Sequence, residues 1–155
     1  MPQLQPPKIT PFLWFDSQAE DAAKMYTAIF ENSRITDTSC AGDRVMSVTF
    51  ELSGQRLMAL NGGPHYQLSP AFSLFVSVES QAELDRTWEA LLAGGGKPTR
   101  CGWLVDRYGL SWQVIPTVLI KLMSDPDPGR ASRAVQAMMG MIKLDIAELE
   151  RAAAR

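Results

Sequence analysis

Asp16-Ser17-Gln18-Ala19-Glu20 and Glu79-Ser80-Gln81-Ala82-Glu83 share four residues of five and stand 63 positions apart. Each reads as a helix start: a Ser hydroxyl at the N-cap accepts from the backbone N–H three residues on, and the Glu there reaches back. One capping box is common; two with matching flanks point to a duplicated module. Ile9 to Phe15 before the first is an apolar run of strand length, with Pro11 favouring an edge or a strand start, and Phe72 to Val78 before the second is another. The first helix carries a stripe of Ala22, Tyr26, Ile29 and Phe30. It is followed by a short strand from Arg34 to Thr38 and a longer one from Arg44 to Leu52, alternating Met46, Val48, Phe50 and Leu52. Ser53-Gly54 then turns the chain into a hairpin partner, Gln55 to Leu60. The second helix, with Leu84, Trp88, Leu91 and Leu92, stops at Gly94-Gly95-Gly96, and Lys97–Cys101, Trp103–Asp106 and Ser111–Ile115 follow as strands. Each half is therefore βαβββ.

The expected fold is α+β, with two βαβββ modules (residues 9–62 and 71–116) forming curled mixed sheets around a cavity. Residues 1–8, rich in Pro and Gln, are expected to be flexible. Residues 117–155 form a C-terminal helical extension. Asp127-Pro128 starts one helix with N-cap and N1 chemistry, and Asp145 with Glu148 starts another, with Leu144 and Leu149 as a hydrophobic staple.

A chain of 155 residues is long enough for one domain with a real core, and 46% hydrophobic with 21% charged residues is a globular composition. A net charge of -2 supplies neither the basic field that nucleic acid needs nor a polybasic membrane anchor. No apolar run reaches the length of a membrane span, and the N-terminus lacks the charged and apolar regions of a signal peptide. Cys40 and Cys101 alone make no disulfide framework. The expectation is a cytoplasmic protein with free thiols and no nucleic-acid or membrane partner.

Four stretches carry a family resemblance: ITPFLWFDSQAEDAAKMYTAIF (9–30), FELSGQRLMALNGGPH (50–65), CGWLVDRYGLSWQVIPT (101–117) and SDPDPGRASRAVQAMMGM (124–141). They resemble the PhnB-like branch, often labelled demethylubiquinone methyltransferase-like, of the vicinal oxygen chelate superfamily of glyoxalases and bleomycin-resistance proteins. The resemblance implies sheets around a cavity, a divalent metal held by inward side chains on four strands, substrates that chelate it through adjacent oxygens, and dimers. Carried over, the four ligand positions fall on Pro11, Leu57, Ser73 and Gln113. None is anionic or an imidazole, whereas a divalent ion needs several such ligands. Neither a metal nor a cofactor is therefore expected.

Strand alternation sets Trp112 and Val114 on one face, and Ser111, Gln113 and Ile115 on the other. If Gln113 faces the cavity, Trp112 is core, and Gln113 with Ser73 becomes a neutral polar pair open to a ligand. Trp103 either lines an apolar site or fills the core. His65, the single histidine, is either an acid–base group or a loop residue, and the Asn-Gly-Gly-Pro before it favours the loop. Cys101 is either an inert thiol or a nucleophile assisted by Arg100 or Arg107. Asp106-Arg107-Tyr108-Gly109 reads as a hairpin turn. Met123, Met138, Met139 and Met141 form either an adaptable interface or a packed helix face. Neither strand–helix junction, FDSQAE or VESQAE, has the glycine turn of an ordinary adenosylmethionine-binding sheet, so the methyltransferase label does not imply that chemistry.

The expected ligand-binding set is Ser73, Gln113, Asn61, His65, Cys101 and Trp103, with no catalytic residue assigned. The expected function is metal-free binding of a small organic molecule by a homodimer. The alternatives are a superfamily lyase, isomerase or methyltransferase acting on a vicinal-oxygen substrate, and an interaction protein using the C-terminal helices.

Overall fold

In the computed structural model, which describes residues 5–155, the two halves are wired alike. β1 (Phe12–Phe15), β2 (Arg34–Ala41), β3 (Arg44–Leu52) and β4 (Gln55–Asn61) form a sheet of order β1-β4-β3-β2. β5 (Ser73–Val78), β6 (Lys97–Pro98), β7 (Trp103–Val105) and β8 (Ser111–Pro116) form another of order β5-β8-β7-β6. In each, the first strand runs parallel to the last and the remaining pairs are antiparallel. The parallel pairing follows from the helical crossovers, α1 (Ala19–Ile29) and α2 (Gln81–Leu92). The repeat extends to register: Phe12 lies opposite Met58 and Phe75 opposite Gln113, and Phe12 and Phe75 stand the same 63 residues apart as the two serines. The α+β duplication expected from the sequence is the architecture found.

The chain divides into two compact units between Leu68 and Ser69. In the first, Leu13, Phe15, Val48, Phe50, Leu57 and Ala59 are buried on one sheet face, with Ala22, Ala23 and Tyr26 of α1 buried beside them. Strand alternation produces that face: neighbours across the ladder, Phe50 with Leu57 and Val48 with Ala59, point the same way. In the second, Leu104, Trp112 and Val114 are buried with Leu84, Trp88 and Leu91 of α2. Each such side chain contributes roughly 1.5–3 kcal/mol by leaving water.

The helix starts diverge. At α2 the Ser80 cap forms: Ser80 Oγ accepts from the Glu83 N–H at 3.1 Å, and Glu83 Oε2 reaches back one residue beyond the N-cap to accept from the Glu79 N–H at 2.8 Å. At α1 the matching cap does not. The N-cap is Gln18, with no cap from its own side chain, and the Ala19 N–H donates instead to Asn61 Oδ1 at 2.8 Å. The expected Ser17–Glu20 box is thus replaced by a long-range cap from the end of β4, and Glu20 pairs with Lys24.

Three strands depart from their expected limits by more than one residue. β1 begins after Pro11, which has no N–H to give, although its carbonyl accepts from Met58. β2 runs on to Ala41, passing register shifts at Ile35/Asp37 and Ser39/Cys40. β6 stops at Pro98, because Cys101 turns into the left-handed region (φ 56) to dock elsewhere. Gly94 and Gly95, at φ 81 and 122, end α2 in conformations that side chains resist. Residues 5–8 are exposed and carry no regular structure, and the rest of the expected flexible segment lies outside the described residues.

The extension belongs to the second unit. α3 (Thr117–Met123) follows β8 directly, then α4 (Pro128–Met139) and α5 (Ile146–Ala154). Asp127 caps α4 through the Gly129 N–H, and Asp145 caps α5 through the Glu148 N–H, with Leu144 and Leu149 buried as the staple requires. The segment between α4 and α5 is tied down at two places. The Cys101 and Gly102 N–H groups donate to the Met141 and Ile142 carbonyls, both at 2.8 Å. Gln81 Oε1 accepts from the Ile146 N–H, Gln81 Nε2 donates to Asp85 and Leu144, and Lys143 pairs with Asp85 at 2.9 Å. The Gln81 hydrogen bond, with Lys143 beside it, holds the Asp85 carboxyl below the usual carboxylate range.

Candidate functional site on the second sheet

With one face of the second sheet packed on α2, the other carries Ser73, Phe75 and Ser77 of β5, Ser111, Gln113 and Ile115 of β8, and Trp103 and Val105 of β7. These residues share a face because directly paired residues do, and Phe75–Gln113–Trp103 and Ser73–Ser111–Val105 form two cross-strand rows. Gln113 does not bond along its own row. Its amide leans two residues back along the strand and donates to Ser73 Oγ at 3.0 Å. Ser73, Gln113 and Trp103 are half-buried, and Phe75 is 51% exposed. Across β5, β7 and β8 this face has no ionisable side chain; Lys97, opposite Val105 on the edge strand β6, is exposed.

The sheet holds this face rigidly from behind. Trp112, on the packed side, is buried, and its indole N–H donates to Asp106 Oδ2 at 2.8 Å. Asp106 Oδ1 also accepts from the Tyr108 and Leu110 N–H groups, at 2.8 and 3.1 Å. The expected hairpin turn is therefore an Asp-centred turn whose carboxylate is 4% exposed and clasps the neighbouring strand. Sequence reading identified the turn and missed the clasp; an Asp six residues before a core Trp was its only signal.

Of the residues expected to bind a ligand, Ser73, Gln113 and Trp103 come together here. Cys101 sits at the turn before β7, where its Sγ lies 3.8 Å from the Met139 carbonyl and 4.0 Å from the Met139 sulfur. Arg107, considered as its activator, lies over the Tyr108 ring. Asn61 and His65 belong to the first unit. Both ends of the Asn61 amide are engaged, Oδ1 with Ala19 and Nδ2 with the Val45 carbonyl at 3.0 Å, and His65 is exposed in a turn. Ser111 and Phe75 belong to the face but not to the expected set; strand parity with Gln113 marks Ser111.

The first module's ligand positions need correcting by one residue. Leu57 is 0% exposed on the face packed against α1, and Pro11 precedes the strand. The register equivalents of Gln113 and Ser73 are Met58 and Thr10. Thr10 and Met58 in the first unit, and Ser73 and Gln113 in the second, are all neutral, and neither pair offers the donors that a hard or borderline divalent ion needs. Among the described residues no three His, Cys, Asp or Glu side chains gather as metal ligands.

Residues 7–115 match the model of a family described as 3-demethylubiquinone-9 3-methyltransferase. Among solved structures, a Bacillus cereus PhnB protein, provisionally given the same methyltransferase name, is 32% identical with a TM-score of 0.66, over 71% of this chain and 99% of that one. Protein PA1353 from Pseudomonas aeruginosa is 22% identical with a TM-score of 0.61, over 72% and 98% of the two chains. A glyoxalase-related enzyme from Fulvimarina pelagi, 13% identical with a TM-score of 0.50, covers 73% of this chain and 91% of its own, and speaks to the fold alone. No curated protein matches. The family match ends one residue before β8 does, leaving α3 to α5 outside it.

Proposed function

Because the chain belongs to the PhnB-like family described as 3-demethylubiquinone-9 3-methyltransferase, we propose that it is a protein of the glyoxalase/bleomycin-resistance type that binds a small neutral organic molecule, without a metal, on the open face of the second sheet. The observation that carries this reading is the Gln113–Ser73 hydrogen bond on a half-buried face. Phe75 and Trp103 flank it with apolar area and ring edges, the usual lining of a small-molecule site with a few polar groups to orient the ligand. Charged chemistry fits this face poorly. Proton abstraction from a phenolic hydroxyl, as methyl transfer requires, needs a positioned base, and β5, β7 and β8 present none here.

Saturation-transfer NMR with guaiacol, acetophenone and ethylbenzene tests the reading. Transfer is expected to all or some of these probes in wild type and to fall in Gln113→Ala and Trp103→Ala. Signals that survive both substitutions, or no transfer to any probe, would remove the proposal.

The same proposal includes a cytoplasmic homodimer. Phe12, 53% exposed on the edge strand β1, supports an association surface, and among the described residues no helix is long and apolar enough to cross a membrane. Light scattering at twice the 17.1 kDa of one chain is expected; the mass of a single chain would remove the dimer.

A further inference from the structure

We infer that the Ser111 hydroxyl is a ligand-binding group, and that its ligand presents a neutral acceptor oxygen, such as a ketone carbonyl; this rests on the binding reading above. Ser111 is 1% exposed, and its Oγ is buried with no hydrogen-bond partner. Buried hydroxyls are almost always satisfied, so an orphan at the start of an inner strand points to a partner that comes and goes. Ser111 lies directly opposite Ser73, and Gln113 follows it by two residues on the same face. To reach Ser73, the Gln113 amide leans toward the cross-strand row that holds Ser111, and it does not bond to the Ser111 hydroxyl.

The donor pattern selects the ligand. Ser73 Oγ already accepts from Gln113, which leaves its own proton to give. Ser73 and Ser111 then present two O–H donors on adjacent strands, about 5 Å apart at the backbone, and one carbonyl oxygen has two lone pairs to accept both. An anion would lose its hydration with no cation on β5, β7 or β8 to replace it, the Lys97 side chain of the edge strand being exposed to water.

The experiment is an NMR titration of acetophenone, ethylbenzene and benzoate into wild type and Ser111→Ala, with the melting temperature of each protein. Acetophenone is expected to bind wild type roughly five- to tenfold more tightly than ethylbenzene or benzoate, the worth of one hydrogen bond, and to lose that advantage in Ser111→Ala. The melting temperature of Ser111→Ala is expected to hold or rise, because an unsatisfied hydroxyl is removed. Equal binding of acetophenone to both proteins would overturn the inference, as would a fall in melting temperature, which marks a structural hydroxyl. In both cases probe shifts at Gln113 and Trp103 would leave the wider binding reading standing. If no probe shifts those resonances, both fall.

Discussion

Replacing Asp106 with Ala should be among the most damaging single substitutions in the second unit, and its cost can be worked from the turn. The carboxylate accepts from three donors, Tyr108 N, Leu110 N and Trp112 Nε1. Tyr108 is half-exposed, so its N–H can turn to water. Leu110 and Trp112 are buried, and their donors have no such recourse. Each buried donor left unpaired costs about 1–3 kcal/mol, so the two together cost roughly 2–6 kcal/mol. For a chain of this size that is a fall on the order of 10 °C in melting temperature. Asp106→Asn should fall between: its carbonyl oxygen can keep the two backbone bonds, but its NH2 then faces the Trp112 N–H, donor against donor. Urea titration followed by tryptophan emission and by far-UV dichroism is the assay. A loss below about 1 kcal/mol in Asp106→Ala, or Asn and Ala equal, would refute this account of the turn.

The divergent helix starts predict a contrast: Ser80→Ala should cost about 1 kcal/mol by urea titration, as lost N-caps do, and Ser17→Ala close to nothing. Asn61→Ala should cost about 1–2 kcal/mol, since it removes the α1 cap and the bond to the Val45 carbonyl, and Asn61→Asp should recover only the cap. Gly62→Ala would drive a methyl group into the Trp14 ring, whose indole N–H holds the Gly63 carbonyl, and should cost about 1–3 kcal/mol with a changed near-UV signal. Asp85 carries a pH effect of known sign. Its folded carboxyl is held low, so its contribution is complete above the ordinary carboxylate range and is lost as pH falls through the lower folded value. The group is exposed, so the effect is a few tenths of a kcal/mol. Wild type and Asp85→Asn should differ slightly at pH 6 and converge at the acid end; divergence there instead would contradict the sign.

The duplication was legible because capping residues and strand alternation are local, and both modules display them in the same order. Whatever depended on a distant partner was not. Ser17 and Glu20 satisfy every local rule for a capping box, yet α1 is capped instead by Asn61, 42 residues from the Ala19 N–H that it accepts. In Leu57-Met58-Ala59-Leu60 every residue is apolar, so the run does not reveal which parity faces α1, and the ligand position slipped by one. Thr117 to Met123 is equally suited to strand and helix, and only tertiary packing decides. In the second module Ser111, Gln113 and Ile115 alternate with Trp112 and Val114, so parity was readable, while the pairing of Ser73 with Gln113 came from the family resemblance. Whether Gln113 bonds to Ser111 or Ser73 is a matter of side-chain direction, which strand pattern does not encode.

The central claim is a ligand site on the second sheet that works without metal. The most direct test follows the Gln113 side-chain amide and the Trp103 indole resonance in chelator-stripped, 15N-labelled protein titrated with acetophenone, then repeats the titration after adding zinc. Both resonances should shift along one saturable curve, with the same midpoint in the two titrations. Shifts that arise only with zinc, or a titration that leaves both resonances in place, would contradict the claim.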